Sequence, residues 1–187
     1  MNQLADDQAL MERIARQDQS ALRSFYARHQ VRTYRFILRL VRNEAIAEEL
    51  TNEVFMEVWR SAAKYEGRSS PSTWMLSIAH NRSVSVLRKR QDENWDEDSA
   101  SQIADDDDDP EVTAQKTDKG VLLRQCLNKL SDEHRKIIDL VYYHEKSISE
   151  VSAIVGIPEA TVKTRMFYAR KRLSEVMKSA GLDRGWP

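Results

Sequence analysis

The 187 residues predict an all-α protein: two small helical domains joined by an acidic flexible linker, the C-terminal one a helix-turn-helix. Three observations carry this. Glycine and proline are scarce, five and four in the chain. No long stretch alternates apolar with polar residues; apolar residues recur instead at spacings of three and four. The near-neutral net charge of −1 also hides a segregation. From Gln91 to Glu111 there are eleven acids and no Lys or Arg, and the rest of the chain is left at about +10. Two basic parts are thus separated by an acidic strip. The domains predicted are 1–90 and 119–187, with a linker over 91–118.

The first helix is read from "ADDQALMERIARQ", with Leu10, Ile14 and Leu4 on one face. "ALRSFYARHQVRTYRFILRLV" repeats Leu22, Phe25, Tyr26, Val31, Tyr34, Ile37, Leu38 and Val41. "NEAIAEELTNEVFMEVWRSAAKY" gives Ile46, Leu50, Val54, Phe55, Val58 and Trp59. Asn43 is its predicted N-cap, and Glu44, Glu48 and Glu49 lie early, where the helix dipole favours acids. A fourth helix begins at Pro71 or Ser72, after the loop "EGRSSPST", and carries Trp74, Ile78, Val84 and Leu87 as its apolar set. Arg88, Lys89 and Arg90 crowd its end.

Residues 91 to about 112 hold too few apolar groups to offset the entropy of ordering them. Beyond them, "KGVLLRQCLNKL" is an amphipathic helix, and "SDEHRKIIDLVYYHE" a second with Ser131 as N-cap. The single cysteine, Cys126, excludes an internal disulfide and sits among leucines, as a buried small hydrophobe does. No apolar run approaches the roughly 20 residues of a membrane span. The N-terminus lacks a signal peptide's basic start and apolar core. A cytoplasmic protein without membrane insertion is expected.

The sharpest local pattern is "SISEVSAIVGIPEATVKTRMFYARKRL". A short helix carries Ile148, Val151, Ile154 and Val155. Gly156 can take the left-handed conformation that closes it, and Ser152 and Ala153 are small enough for close helix approach. Ile157 plugs the core. Pro158 stands at the entry to the next helix, where its missing N–H costs little. Val162, Met166, Ala169, Leu173 and Val176 form that helix's buried stripe. This is a helix-turn-helix. Its outer face carries Glu159, Thr161, Lys163, Thr164, Arg165, Phe167, Tyr168, Arg170, Lys171 and Arg172. From 159 to 178 there are six basic residues against two acids. Such a face suits phosphates and base edges in the major groove.

The N-terminal part narrows the reading. A polar Ser/Arg/Gly loop precedes a helix with Trp74, Asn81 and Arg82, and Trp74 and Asn81 share a face. Readers of single strands combine aromatic surfaces with basic grooves in this way.

With these residues in place, the chain resembles a bacterial sigma factor of the extracytoplasmic-function class. "AEELTNEVFMEVWR" resembles the region that binds the clamp helices of RNA polymerase. "SPSTWMLSIAHNRSVSVLRKR" resembles the segment that melts and reads the minus-ten element. The helix-turn-helix resembles the region that reads the minus-thirty-five element. The resemblance implies two partners, core RNA polymerase and promoter DNA, and a third in an anti-sigma factor. It assigns Glu48, Glu49, Asn52, Glu53 and Glu57 to polymerase binding, with Phe55 and Trp59 nearer to core. It assigns Lys64, Gly67, Arg68, Ser69 and Ser70 to a loop that captures a flipped base. Trp74, Asn81 and Arg82 flank that loop, and Arg88, Lys89 and Arg90 meet phosphates. Tyr168 departs from the arginine that family members often carry there.

No catalytic chemistry and no cofactor are expected. His29, His80, His134 and His144 are scattered along the chain, and neither a phosphate-binding Gly-rich loop nor a nucleophile motif appears. The competing reading is a stand-alone helix-turn-helix regulator with a ligand-sensing N-terminal half. It accounts for residues 121–187 but not for the second basic helix at 71–90.

Overall fold

The computed structural model describes residues 3–92, 123 and 125–180. The linker beyond Asp92, the start of the helix read over 119–130 and the tail from Gly181 lie outside the described residues. Every regular element among the described residues is helical. None of their helices is long and apolar enough to cross a membrane.

The N-terminal unit consists of α1 (Gln3–Ala15), α2 (Gln19–Val41), α3 (Glu44–Ser61), a 3-10 turn (Ala62–Lys64) and α4 (Pro71–Asp92). Local chemistry sets the boundaries. Asp18 caps α2, accepting from the Ser20 and Ala21 amides at 2.9 and 3.3 Å. Arg42 ends α2 in the left-handed conformation, φ 51°, with its N–H on the Leu38 carbonyl at 2.8 Å. Asn43 caps α3 as predicted, accepting from the Ile46 amide at 3.0 Å.

α2 is the central element and packs on α1, α3 and α4. Met11, Ile14, Phe25, Phe36, Ile37, Val54, Val58 and Met75 are fully buried around it. Burial of each such side chain contributes about 2 kcal/mol. Two sequence expectations are corrected here. Val31 faces solvent, while His29 and Thr33 take the buried positions on α2. On α4 the buried face is Thr73, Met75, Leu76, Ala79, His80 and Ser83, not the Trp74–Ile78–Val84–Leu87 set; Val84 is exposed. Small and polar residues suit this face because α4 lies against both α2 and α3. Buried hydroxyls are satisfied locally: on α4 Ser83 bonds the Ala79 carbonyl at 2.8 Å, and on α2 Thr33 bonds the His29 carbonyl at 2.9 Å.

A buried polar cluster ties α1 to α2. The Asp7 carboxylate accepts from the Arg28 guanidinium at 2.5 Å and meets His29 Nε2 at 2.9 Å. Burial pushes the Asp7 carboxyl up, but the bonds and charges of His29 and Arg28 outweigh it and hold it below the ordinary carboxylate value.

In the C-terminal unit residues 125–128 are helical. α5 (Asp132–Ile138) runs directly into a π-helical turn (Asp139–Tyr143); α6 (Ile148–Val155) and α7 (Glu159–Ser179) follow. Ser131 caps α5 through the His134 amide at 3.4 Å. At α6, Ser147 and Glu150 form a capping box: the Ser147 amide donates to Glu150 at 3.0 Å and the Glu150 amide to Ser147 Oγ at 3.2 Å. Cys126, Leu130, Ile137, Ile138, Leu140, Val151 and Ile154 are buried. So is the whole predicted stripe of α7, from Val162 to Val176.

Candidate nucleic-acid interface

The helical period sorts α3 into two faces. Ala47, Leu50, Thr51, Val54, Phe55 and Val58 point inward, which leaves Glu48, Glu49, Asn52 and Glu53 exposed and Glu57 half-buried. Phe55 belongs to the core, with its ring 4.7 Å from Tyr26 and 6.3 Å from Phe25. Glu57 accepts from Ser61 Oγ at 2.6 Å. That hydrogen bond, aided by Arg82, holds its carboxyl below the usual range.

Arg82 joins two residue sets that the sequence reading kept apart. It leaves α4 toward α3 and places its guanidinium 3.5 Å from Glu53 and 3.3 Å from Glu57. Asn81, its neighbour, is exposed, as are Arg88 and Lys89, with Arg90 half-buried.

The loop after the 3-10 turn closes on itself. The Tyr65 hydroxyl donates to the Ser69 carbonyl and lies 3.3 Å from Gln8 Oε1 of α1. Lys64, before these anchors, is exposed. Between them Glu66, Gly67 and Arg68 are exposed, with Arg68 paired to Glu66. Gly67 takes φ +70°, which a side chain would disfavour. Ser69 and Ser70 are half-buried. Ser70 Oγ accepts from the Thr73 amide at 3.3 Å and meets Thr73 Oγ1 at 2.8 Å. It thereby caps α4, with Pro71 at the first helical position. Trp74 is half-buried, 5.3 Å from the Tyr65 ring. Tyr65 and Gln8 escape sequence reasoning because a lone Tyr after a helix and a Gln on α1 carry no local signal of their contact.

On α7 the face opposite the buried stripe carries Glu159, Lys163, Thr164, Phe167, Tyr168, Arg170, Lys171 and Arg172, all exposed, with Thr161 half-buried. Phe167 and Tyr168 are 63% and 53% exposed and meet edge to face at 5.4 Å. Adjacent aromatics open to water and rimmed by polar residues mark an interaction surface. Thr164 bonds the Ala160 carbonyl at 3.0 Å. Pro158 stands at the N-cap and gives no side-chain cap; the Thr161 and Val162 amides bond its carbonyl at 2.9 and 3.1 Å. Gly156, at φ +73°, makes the turn before it as predicted.

Two residues, Arg165 and Ala153, stand differently from the outer face and close approach that the sequence suggested, and Arg170 keeps its exposed place on that face. Arg165 is half-buried and paired with Glu133 of α5 at 3.1 Å. Arg170 lies over the Tyr142 ring, 5.7 Å from its centre. Ala153 is exposed rather than pressed between helices.

Comparison with known proteins accounts for both units. Residues 25–93 match Sigma-70 region 2, and residues 120–173 match Sigma-70 region 4. The ECF RNA polymerase sigma factor SigK of Mycobacterium bovis (strain BCG) is 33% identical over 178 residues, 90% of this chain and 92% of that one. The chain belongs to the ECF RNA polymerase sigma factors. SigK of Mycobacterium ulcerans is similar at 32% identity, over 94% of this chain and 95% of its own. Among solved structures, the sigma factor RpoE of Bartonella quintana, in complex with the anti-sigma factor NepR, matches with a TM-score of 0.68 and 26% identity. That match covers 87% of this chain and 98% of that one. CnrH, in complex with the cytosolic domain of CnrY, has a TM-score of 0.67 at 19% identity, covering 93% and 98%, and supports the fold. In this ECF sigma factor the region 2 match starts at Phe25 and so leaves α1 outside. α1 nonetheless supplies Asp7 and Gln8, which hold α2 and the loop.

Proposed function

We propose that this ECF sigma factor directs core RNA polymerase to its promoters with three surfaces. The acidic face of α3, Glu48 to Glu57, binds the polymerase. The loop from Lys64 to Ser70, with Trp74, Asn81, Arg82 and the basic end of α4, opens and reads the minus-ten element. The outer face of α7 reads the minus-thirty-five element. The observation that carries the reading is the exposed Phe167–Tyr168 pair set among Lys163, Arg170, Lys171 and Arg172. Charge supplies phosphate affinity there, and the aromatic edges suit thymine methyl groups.

The energetics at the minus-ten element suit a protein that does no bond chemistry. Extruding a base costs a few kcal/mol, and stacking on an aromatic side chain returns about 1–3 kcal/mol per base. Catalysis and its metal ions belong to the polymerase. The site of action is therefore the cytoplasm, with the polymerase. RpoE and CnrH are each held by a partner in their solved complexes; on that likeness an anti-sigma factor restrains this chain, and a stress or other signal releases it.

Reconstituted transcription tests the reading. The chain added to core polymerase should redirect initiation to a distinct promoter set, recovered by sequencing transcripts from a genomic template. Tight, sequence-specific footprints on duplex DNA without polymerase, with no effect on transcription start sites, would instead mark a stand-alone regulator.

A further inference from the structure

We propose that the hydroxyl of Tyr65 sets the base selectivity of the minus-ten loop, as a positioning residue behind it. This rests on the reading of residues 64–70 as the loop that captures a flipped base.

The geometry makes Tyr65 the hinge pin of that loop. Its hydroxyl closes a ring over four residues, from its own side chain to the Ser69 carbonyl, so Glu66, Gly67 and Arg68 form a crest pinned at both feet. The same oxygen lies 3.3 Å from the Gln8 amide of α1. One phenolic proton cannot serve two acceptors. The Ser69 carbonyl takes it, and a half-turn of the Gln8 amide places an N–H to donate to the phenolic oxygen. The loop is thereby tied to α1, a helix outside the region 2 match. The Tyr65 ring meets Trp74 at 5.3 Å, which fixes the ring whose hydroxyl makes the clamp. Burial raises the phenol above its ordinary value, in the direction that keeps the hydroxyl a donor.

On the other side of the crest, Ser70 is committed to capping α4. Gly67 adopts φ +70°, and a Cβ at that position would meet nothing within 4 Å, so no neighbour packs on the tip of the crest, which is held by its anchors and by the Glu66–Arg68 pair. A loop shaped by its anchors changes its pocket when one anchor goes. Phenylalanine at position 65 keeps the ring and the Trp74 contact and removes only the hydroxyl.

The test uses the full chain with core polymerase and a single-stranded DNA pool randomised over the minus-ten length. Bound strands are recovered and sequenced. The wild-type holoenzyme should enrich one base at the captured position. Tyr65→Phe should lower that preference about 3- to 10-fold, the effect of one lost hydrogen bond. Preferences at other positions and affinity for core polymerase should be unchanged, and the thermal melt should fall only by what one lost hydrogen bond explains. A Tyr65→Phe profile equal to wild type overturns the proposal. So does a uniform flattening of all positions with a lowered melt, which would mark a merely structural tyrosine. A Glu66→Ala, Arg68→Ala double variant separates the two levels. If it shifts the captured-base preference while Tyr65→Phe does not, the loop reading stands and the hydroxyl's role falls. If neither variant moves any position, both fall.

Discussion

At the scale of the residue, Asp7 stands in an environment that its sequence context does not suggest. It is an acid in an amphipathic first helix, yet it is buried between Arg28 and His29. Asp7→Asn should cost about 2 kcal/mol at neutral pH, the value of hydrogen bonds to a charged group. The pH dependence follows from the lowered carboxyl. The stabilisation is fully present above the ordinary value of 3.8 and is lost as pH falls through the lower folded-state value. Urea unfolding of wild type and Asp7→Asn should therefore differ at pH 7 and converge in strong acid. Gly156 offers a second test. It takes φ +73°, and an added Cβ would meet no neighbour, so replacement costs only backbone conformation. Gly156→Ala should destabilise the C-terminal unit by about 1 kcal/mol, and Gly156→Asn by less, since Asn tolerates the left-handed region. Hydrogen exchange across α6 and α7 reads both.

At the scale of the element, legibility follows the chemistry of the buried face. α7 is legible in full because Val162, Met166, Ala169, Leu173 and Val176 are apolar residues opposite a charged face. α4 misleads because its inward face is Ala79, His80 and Ser83 beside Met75 and Leu76, while Val84 points out. An apolar-residue period cannot find a helix that buries small and polar groups. The π-helical turn at Asp139–Tyr143 leaves no sequence signal, since its residues look like a continuing helix. The site obeys the same rule. The exposed members of α3 and α7 are visible from periodicity, but the contacts of Arg82 and Arg165 are long-range pairings that no local pattern encodes. Those contacts separate the basic residues of α7 by role. Lys163→Ala and Lys171→Ala should each lower the slope of log affinity against log salt on promoter DNA by about 0.9. Arg165→Ala should leave that slope nearly unchanged, because the guanidinium is engaged by Glu133. Salt titration of DNA binding by the three variant holoenzymes checks this.

At the scale of the molecule, charge is divided by position along the chain. The eleven acids between Gln91 and Glu111 hold the total at −1 although the flanking parts are basic. In the free chain an acidic strand of this charge would compete with DNA for the basic residues at 82–90 and 163–172. Changing Asp105 through Asp109 to Asn takes five negative charges from the chain. Free protein carrying that change should bind duplex DNA more tightly, with a steeper salt dependence. Fluorescence anisotropy over a salt series measures it. Unchanged binding would count against such masking and leave the strip a solvated spacer.

The position of Arg82 has a consequence for how this chain varies over time. Two carboxylates on successive turns of α3 answer one guanidinium. Loss of either acid leaves a partner in place, so drift can remove Glu53 or Glu57 singly at little cost to the placement of Arg82, and loss of both releases it. In a double-mutant cycle read by thermal unfolding, the combined loss of Glu53 and Glu57 should exceed the sum of the two single losses, each of which should be small. A lineage can thus change the acidic face of α3 one carboxylate at a time without releasing Arg82 of α4.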